Sequence, residues 1–346
     1  MKKKIALALS LLFVLTMLVG CGLENDAKDT SANNDSNVES VKTGLGIITT
    51  LDKSREPEED TDGMAQADSV VAAVTVDSNG KIVKCVIDTV QSKMEFSNEG
   101  KVVTDLATTF KTKLELGADY GMGKVSAIGK EWNEQAQALA DFVVGKTVEE
   151  IKAISVDEQG VPTDADLTSS VTVKINSYVN AIEKAVANAQ ELGAESSDKL
   201  GLSVVTTMNK SRDAETDTDG QAQAYSTYSV ITTDADGKIS SCVIDASQGT
   251  VTFDATGKIT ADLNSQVKSK VELGADYGMG KVSAIGKEWF EQADAFSKYV
   301  IGKTQSDVQN IALEENVATD ADLTSSCTMK VNTMINTIVK AIETAK

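Results

Sequence analysis

The chain has 346 residues with 52 acidic and 33 basic side chains, a formal net charge of −19 at neutral pH, and no histidine. The lack of histidine excludes Ser-His-Asp and Cys-His catalysis as usually built, together with histidine-ligated zinc and haem. The acidic excess disfavours nucleic acid and anionic membranes as partners, and redox or group-transfer chemistry would need a cofactor.

Residues 1–20 have the pattern of an export signal. Three lysines precede an apolar run from Ile5 to Val19, which is short for a membrane-spanning helix of about 20 residues. The run ends in Leu-Val-Gly-Cys, which resembles a bacterial lipobox and implies cleavage after Gly20 and a lipid on the Cys21 sulfur. Loss of three lysines with the signal leaves 30 basic side chains against 52 acidic ones, a charge of about −22. A plain secretory signal with an incidental cysteine is the alternative.

Residues 21–42 are polar and predict a flexible tether, after which the sequence repeats itself. The block ELGADYGMGKVSAIGKEW occurs identically at 115–132 and 272–289, an offset of 157 residues. A period this long indicates a duplicated globular domain, and about 150 residues are enough to bury a core. We therefore predict two tandem homologous domains, residues 43–192 and 199–346.

Each unit shows strand patterns first and helix patterns afterwards. The β-branched runs 69–76 and 81–90 flank a turn signal at 77–80, and 93–96 and 101–104 flank another. Residues 102–114 and 130–145 have helical patterns, the second ending at Gly145. This order predicts α+β domains, each an antiparallel sheet followed by packed helices.

The last helix of each unit is predicted from a stripe of apolar residues at alternating spacings of four and three. The stripes consist of Ile175, Val179, Ile182, Val186 and Ala189, and of Val331, Ile335, Ile338, Ile342 and Ala345.

Two acidic stretches and three cysteines have simpler interpretations. Residues 60–63 and 217–220 read Asp-Thr-Asp-Gly, but the further ligands of a calcium loop are missing, so we expect acidic turns. Cys85 and Cys242 lie in strand patterns, and Cys327 occupies the position of Val171, so we expect all three to be packed in the interior. The sequence contains no CxxC pair.

The stretch DADLTSSVT at 164–172 returns as DADLTSSCT at 320–328. Asp166 and Asp322 are good helix N-cap residues. Thr172 and Thr328 precede the apolar stripes by three residues, which predicts hydroxyls on the inward face near a helix N-terminus. A phosphate ester there would meet free backbone N–H groups.

Asp166, Ser169, Ser170 and Thr172 together resemble the flavinylation motif of bacterial FMN-binding domains. In that family a dedicated FAD-dependent transferase moves FMN onto the last threonine as a phosphodiester. The resemblance implies that Thr172 is an acceptor and that the aspartate and serines belong to the recognition sequence. The second copy implies the same roles for Thr328 and for Asp322, Ser325 and Ser326. Val171 and Cys327 depart from the family, which usually has alanine there.

The lipobox, acidic tether and two motif-bearing units resemble the flavinylated lipoproteins of Gram-positive extracellular electron transfer, the peptide-pheromone-encoding lipoprotein type. The resemblance implies two covalent FMN groups on a chain held by its lipid at the extracellular face of the cell membrane. It further implies that electrons reach the chain from a membrane NADH dehydrogenase through the quinone pool and pass to ferric iron or similar extracellular acceptors. The resemblance implies an electron carrier rather than a substrate-specific enzyme. Ferric reductase activity is an alternative that the resemblance leaves open. The alternatives are a cell-surface lipoprotein that binds a solute or protein without a cofactor, and an acidic metal buffer.

The identical block contains Gly121 and Gly123, a weak phosphate-loop signal. One interpretation is a tight turn with Tyr120 and Trp132 in the core. The other makes Tyr120, Met122 and Trp132 the walls of an isoalloxazine pocket.

Overall fold

The computed structural model describes residues 38–346. The predicted signal peptide, Cys21 and the tether up to residue 37 lie outside the described residues. The end of the predicted tether belongs to the fold, because Val41 is buried and its N–H donates to the Ala194 carbonyl at 3.0 Å.

The first repeat is an antiparallel sheet followed by helices. Its sheet has the order β1-β2-β3. Its elements are β1 (Lys42–Thr50), β2 (Gly63–Val76), β3 (Ile82–Phe96), β4 (Thr109–Phe110), α1 (Lys113–Leu116), two 3-10 turns (Gly117–Tyr120, Met122–Lys124), α2 (Trp132–Val143), α3 (Val148–Lys152), α4 (Ala165–Thr168) and α5 (Asn176–Ala187).

The second repeat has the same order with an added small hairpin. Its elements are β5 (Lys199–Thr207), β6 (Gly220–Thr233), β7 (Ile239–Phe253), α6 (Lys270–Leu273), two 3-10 turns (Gly274–Tyr277, Met279–Lys281), α7 (Trp289–Tyr299), α8 (Gln305–Gln309), β8 (Leu313–Glu314), β9 (Val317–Ala318), α9 (Ala321–Thr324) and α10 (Asn332–Thr344). The structure confirms the predicted α+β class with two similar halves, each a sheet followed by helices.

The two sheets lie back to back between outer layers of helix. Alternate residues of β2 face opposite ways: Ala72 and Val74 pack with α2 and α5, whereas Val71 and Ala73 pack against the second repeat. Leu202 and Val204 of β5 meet them there. Each repeat thus has its own core between sheet and helices, and the two repeats share a further core between their sheets.

The repeats also exchange strand segments in a reciprocal way. Phe110 of β4 pairs with Thr206 of β5, and the equivalent Val267 forms a β-bridge with Thr49 of β1. Phe96 and its counterpart Phe253 stack with ring centroids 4.3 Å apart. Each contact that the first repeat makes with the second therefore has an equivalent contact that the second makes with the first, as in the interface of a two-fold dimer.

Ion pairs between the repeats follow the same rule. Lys184 of α5 pairs with Glu272 at 2.7 Å, and the equivalent Lys340 of α10 pairs with Glu115. All four side chains are partly shielded from solvent. These pairs tie the last helix of each repeat to the short helix that begins the helical part of the other.

The helix predicted over residues 102–114 needs correction. Residues 102–112 are not helical: Val102 forms a bridge with Phe96, Thr109 and Phe110 form β4, and α1 begins only at Lys113. Pairing across the repeats outweighs the local helical preference of this segment. The predicted apolar stripes on the last helices are confirmed, because all their residues lie in the cores or pack against them. The buried face of α5 also includes Tyr178, Ala181 and Ala185.

Candidate functional site

The repeated motif forms a short capped helix followed by a turn. Asp164 is the N-cap of α4, and its Oδ1 accepts from the Asp166 N–H at 2.9 Å. The predicted N-cap residues Asp166 and Asp322 instead lie exposed in the first turn, because the aspartates two residues earlier take that role. Leu167 and Val171 are buried and anchor the segment in the core.

Thr172 lies in the connection between α4 and α5, not on a helix as predicted. It is partly exposed, and its backbone N–H donates to the Oε1 atom of Gln135 at 2.9 Å. Its hydroxyl donates to the same Oε1 atom at 3.2 Å. The threonine is therefore held against the first turn of α2 by one side chain.

Gln135 also holds the loop of the identical block. Its side chain is fully buried, and its Nε2 donates to the Ser126 hydroxyl and to the Lys130 carbonyl, both at 3.1 Å. The Met122 sulfur lies 3.7 Å from the same nitrogen. The amide orientation follows from these partners, because only NH₂ can donate to a carbonyl.

The second repeat builds the same arrangement. Gln292 of α7 is fully buried and accepts from the Thr328 N–H at 2.9 Å and from the Thr328 hydroxyl at 3.4 Å. Its Nε2 donates to Ser283 at 3.1 Å and to the Lys287 carbonyl at 3.0 Å. The two predicted acceptor threonines thus occupy equivalent environments.

The serines of the motif lie between α4 and the threonine. Ser169 ends α4 and is exposed, and Ser170 is partly exposed and accepts from the Lys130 ammonium at 3.2 Å. Ser325 and Ser326 hold the equivalent positions, and Ser326 donates to the Leu323 carbonyl at 3.1 Å. The Lys130 ammonium therefore contacts the serine two residues before the first acceptor threonine, where it could neutralise an added phosphate.

Two aromatic rings of the identical block pack around Lys113, a buried lysine two residues before the block. The Lys113 ammonium lies 4.5 Å from the Tyr120 ring centroid and 5.3 Å from that of Trp132. Trp132 is 1% exposed and donates to the Tyr178 hydroxyl at 2.9 Å. Trp132 is therefore core and has no face free for a flavin ring, and of the three predicted pocket residues Met122 is the one that approaches Gln135 and so the acceptor threonine.

Each repeat buries one aspartate between its third strand and its first helix. Asp88 is 3% exposed and its Oδ1 accepts from the N–H groups of Thr89 at 2.7 Å and Leu114 at 3.2 Å. Burial raises the pKa of Asp88 to about 7, and it raises the pKa of the equivalent Asp245 to about 6. These carboxyls join strand to helix and lie apart from the threonine motif in the sequence.

The cysteine and turn predictions are confirmed. Cys85, Cys242 and Cys327 are free and buried, and burial raises the pKa of the first two thiols to about 12. The acidic stretch at 60–63 lies at a tight turn closed by the Glu58–Thr61 bridge. Within residues 38–346, no cluster of three or more carboxylate or thiol side chains could hold a metal ion, and no helix is long and apolar enough to cross a bilayer.

Sequence reasoning missed the two glutamines. The signal was available, since the residues after the identical block read Asn-Glu-Gln in one repeat and Phe-Glu-Gln in the other, so glutamine stays while the neighbour two positions earlier changes. The site in each repeat is a partly exposed threonine held by a buried amide, and in the first repeat a lysine contacts the neighbouring Ser170. Comparison of the chain with protein-family models, curated proteins and solved structures finds no match.

Proposed function

We propose that the protein is a membrane-anchored extracellular electron carrier with FMN bound covalently to Thr172 and Thr328. The observation that carries the proposal is the identical presentation of both motif threonines by buried glutamines, Gln135 and Gln292. A threonine that served only to cap or fill space would not need a dedicated buried amide in each repeat.

The residues around the threonine fit a phosphoester. Thr172 is partly exposed, so a transferase could reach it, while the buried Leu167 and Val171 fix the backbone just before it. Lys130 lies beside Ser170 and could reach a phosphate oxygen. A covalent link would also keep a cofactor that would otherwise be lost outside the cell.

Esterification would change the hydrogen bonds of the threonine. The ester oxygen has no proton to donate, so the contact from the Thr172 hydroxyl to Gln135 would be lost, while the backbone N–H could keep its own bond to that Oε1. The side chain would then turn toward solvent, with its backbone still held. FMN supplies one- and two-electron redox chemistry when bound, and the chain supplies position and solvent access.

The rest of the proposal comes from the sequence. The lipobox would place the chain at the outer face of the membrane, with a FAD-dependent transferase, a membrane NADH dehydrogenase and its quinone pool, and ferric iron or similar acceptors as partners. The acidic surface would keep the chain away from anionic lipid while the lipid holds it.

The test is the intact mass of the chain from its native host. The expected result is two flavin adducts in the unaltered protein and one in each of the single variants T172V and T328V. Valine matches threonine in shape and lacks the hydroxyl, so the remaining adduct in each variant shows that the transferase still recognises the fold. A colourless protein of unmodified mass would reject the proposal and favour a cofactor-free solute- or protein-binding lipoprotein.

A further inference from the structure

The second strand of the first repeat carries a buried carboxylate that the second repeat lacks. In the first repeat Asp68 is 8% exposed and accepts from Lys53 at 2.5 Å and from the Gln66 side chain at 2.7 Å. The side-chain amide of Gln91 lies 3.3 Å from the same carboxylate. One lysine and two amides thus hold an internal carboxylate.

The second repeat keeps the amides and loses the carboxylate. Tyr225 takes the position of Asp68, while Gln223 and Gln248 correspond to the two glutamines. The Gln223 amide donates to the Thr250 hydroxyl at 2.9 Å, and the Gln248 amide donates to Gln223 at 3.4 Å. The amides that hold a carboxylate in one repeat therefore bond to neutral groups in the other.

An open pocket of about 390 Å³ lies at this place in the second repeat. Its walls include Gln223, Gln248 and Lys270, with Lys268 and the apolar Leu51 and Leu273. No carboxylate is among its lining residues. A cationic pocket is unusual on a chain with a formal charge of −19.

Lys270, one of the lining residues, carries a buried positive charge next to this pocket. It is 3% exposed, and its ammonium donates to the Tyr225 hydroxyl at 2.6 Å. The rings of Tyr225, Tyr277 and Trp289 surround it at 4.6, 4.4 and 5.0 Å from their centroids. An ammonium has three donors, so this one has a hydrogen-bond capacity that its neutral cage does not use.

We propose that the pocket lined by Gln223, Gln248 and Lys270 binds a small organic carboxylate, which takes the place that Asp68 fills in the first repeat. The apolar walls favour a ligand with a hydrophobic body, and the pocket volume suits a molecule of one ring. Carboxylate binding here does not depend on flavin, because the lining side chains lie outside the threonine motif.

The experiment uses the full mature chain made in a host without the flavin transferase, with 4-fluorobenzoate as the probe. Fluorine NMR titration should show one saturable site for 4-fluorobenzoate and at least tenfold weaker binding of the neutral 4-fluorobenzamide. Equal binding of the two probes, or no saturation by the acid, would overturn the proposal.

Two variants of Tyr225 form a matched pair. Y225D builds the internal carboxylate of the first repeat and should abolish binding, whereas Y225F keeps the ring and should bind within about threefold of the unaltered chain. K270M removes the charge at similar length and should also abolish binding, which keeps the test decisive if Y225D does not fold. Undiminished binding by either folded Y225D or K270M would contradict the assignment.

The pH dependence of binding is a further check. Burial lowers the pKa of Lys270 to about 8, so the ammonium is lost above that pH while a carboxylate ligand stays ionised. Among the groups near Lys270, Asp245 ionises through about pH 6, and burial raises the pKa values of Tyr225 and Tyr277, so both stay neutral. The affinity should therefore fall at least tenfold between pH 7 and about 9.5. A constant affinity over this interval would exclude Lys270 as the binding charge.

Discussion

Gln135 is a single residue whose loss should affect both stability and modification. Q135L leaves the Thr172 N–H and the Lys130 carbonyl without their buried partner, so we expect a loss of about 3 kcal/mol in the free energy of unfolding. Flavin occupancy at Thr172 should fall, whereas Thr328 keeps Gln292 and should be modified as before. Urea denaturation and the masses of the two threonine peptides measure these effects.

The second threonine is the internal control for this prediction. The variant T172S keeps the hydroxyl and the buried glutamine, so its free energy of unfolding should lie within about 1 kcal/mol of that of the unaltered chain. If Q135L lowered the occupancy at both threonines equally, the effect would be general misfolding, and Gln135 would have no specific positioning role.

Asp88 is a second residue with a consequence for the whole fold. Its folded-state pKa of about 7 exceeds the unfolded value of 3.8, so the folded chain binds more protons between these pH values. The free energy of unfolding contributed by this group therefore falls as the pH rises from about 4 to 7, and is constant above. D88N keeps an oxygen acceptor without the charge. Between pH 5 and pH 8 the free energy of unfolding should therefore fall by about 2 to 3 kcal/mol less in D88N than in the unaltered chain.

Urea denaturation of both proteins at the two pH values measures this difference. The comparison cancels the many exposed carboxylates that the proteins share. D245N should show a smaller effect, since the pKa of Asp245 is raised to about 6. If the free energies of unfolding of D88N and the unaltered chain changed in parallel with pH, Asp88 would have an ordinary pKa in the folded state, and the prediction would be wrong.

At the scale of elements, α5 lies unusually close to β1. A Cβ atom on Gly46 would come 1.9 Å from the Ala181 carbonyl oxygen and 2.6 Å from the Ala185 nitrogen. G46A therefore has to push the helix from the sheet, and we expect it to lower the free energy of unfolding by about 3 kcal/mol. G80A lies in a surface turn with open space around it and a φ of 78°, so it should cost about 1 kcal/mol. Urea denaturation would refute the prediction if G46A cost no more than G80A.

Element patterns in the sequence predicted the parts of the fold that depend on local preference. The long strands and α2 follow from β-branched runs and helical periodicity, and the end of α2 follows from Gly145, which lies two residues past the helix with a φ of 80°. The short strand β4 could not be assigned this way, because its partner strand is about a hundred residues away in the other repeat. The consecutive apolar residues 70–74 did contain a signal for a second buried face, since a strand exposed on one side alternates.

In the candidate site, too, the sequence predicted what is local and missed what depends on the tertiary fold. The threonines could be found from a repeated motif, which is local in sequence. Gln135 could not be placed beside Thr172 without the tertiary fold, because 37 residues separate them. The difference between Asp68 and Tyr225 was visible in the alignment of the repeats, but its meaning depends on the side chains that converge there.

At the scale of the whole molecule, the repeats are predicted to unfold as one unit. They share the core between their sheets, and their strand pairs and ion pairs are reciprocal. Neither repeat could keep its inner sheet face buried after the other had unfolded, so the free energy of exposing that face couples the two.

The two tryptophans, one in each repeat, make this coupling measurable. In W132F only Trp289 reports on unfolding, and in W289F only Trp132 does, since both indoles are buried in their own cores. Within each variant, the tryptophan signal and far-UV circular dichroism, which follows both repeats, should give the same urea midpoint. Adding F96A removes the ring that stacks on Phe253, and it should lower both tryptophan midpoints by the same increment. A shift confined to the first repeat, or a tryptophan transition separate from the circular dichroism, would mean that the repeats are independent and that the shared core contributes little to their stability.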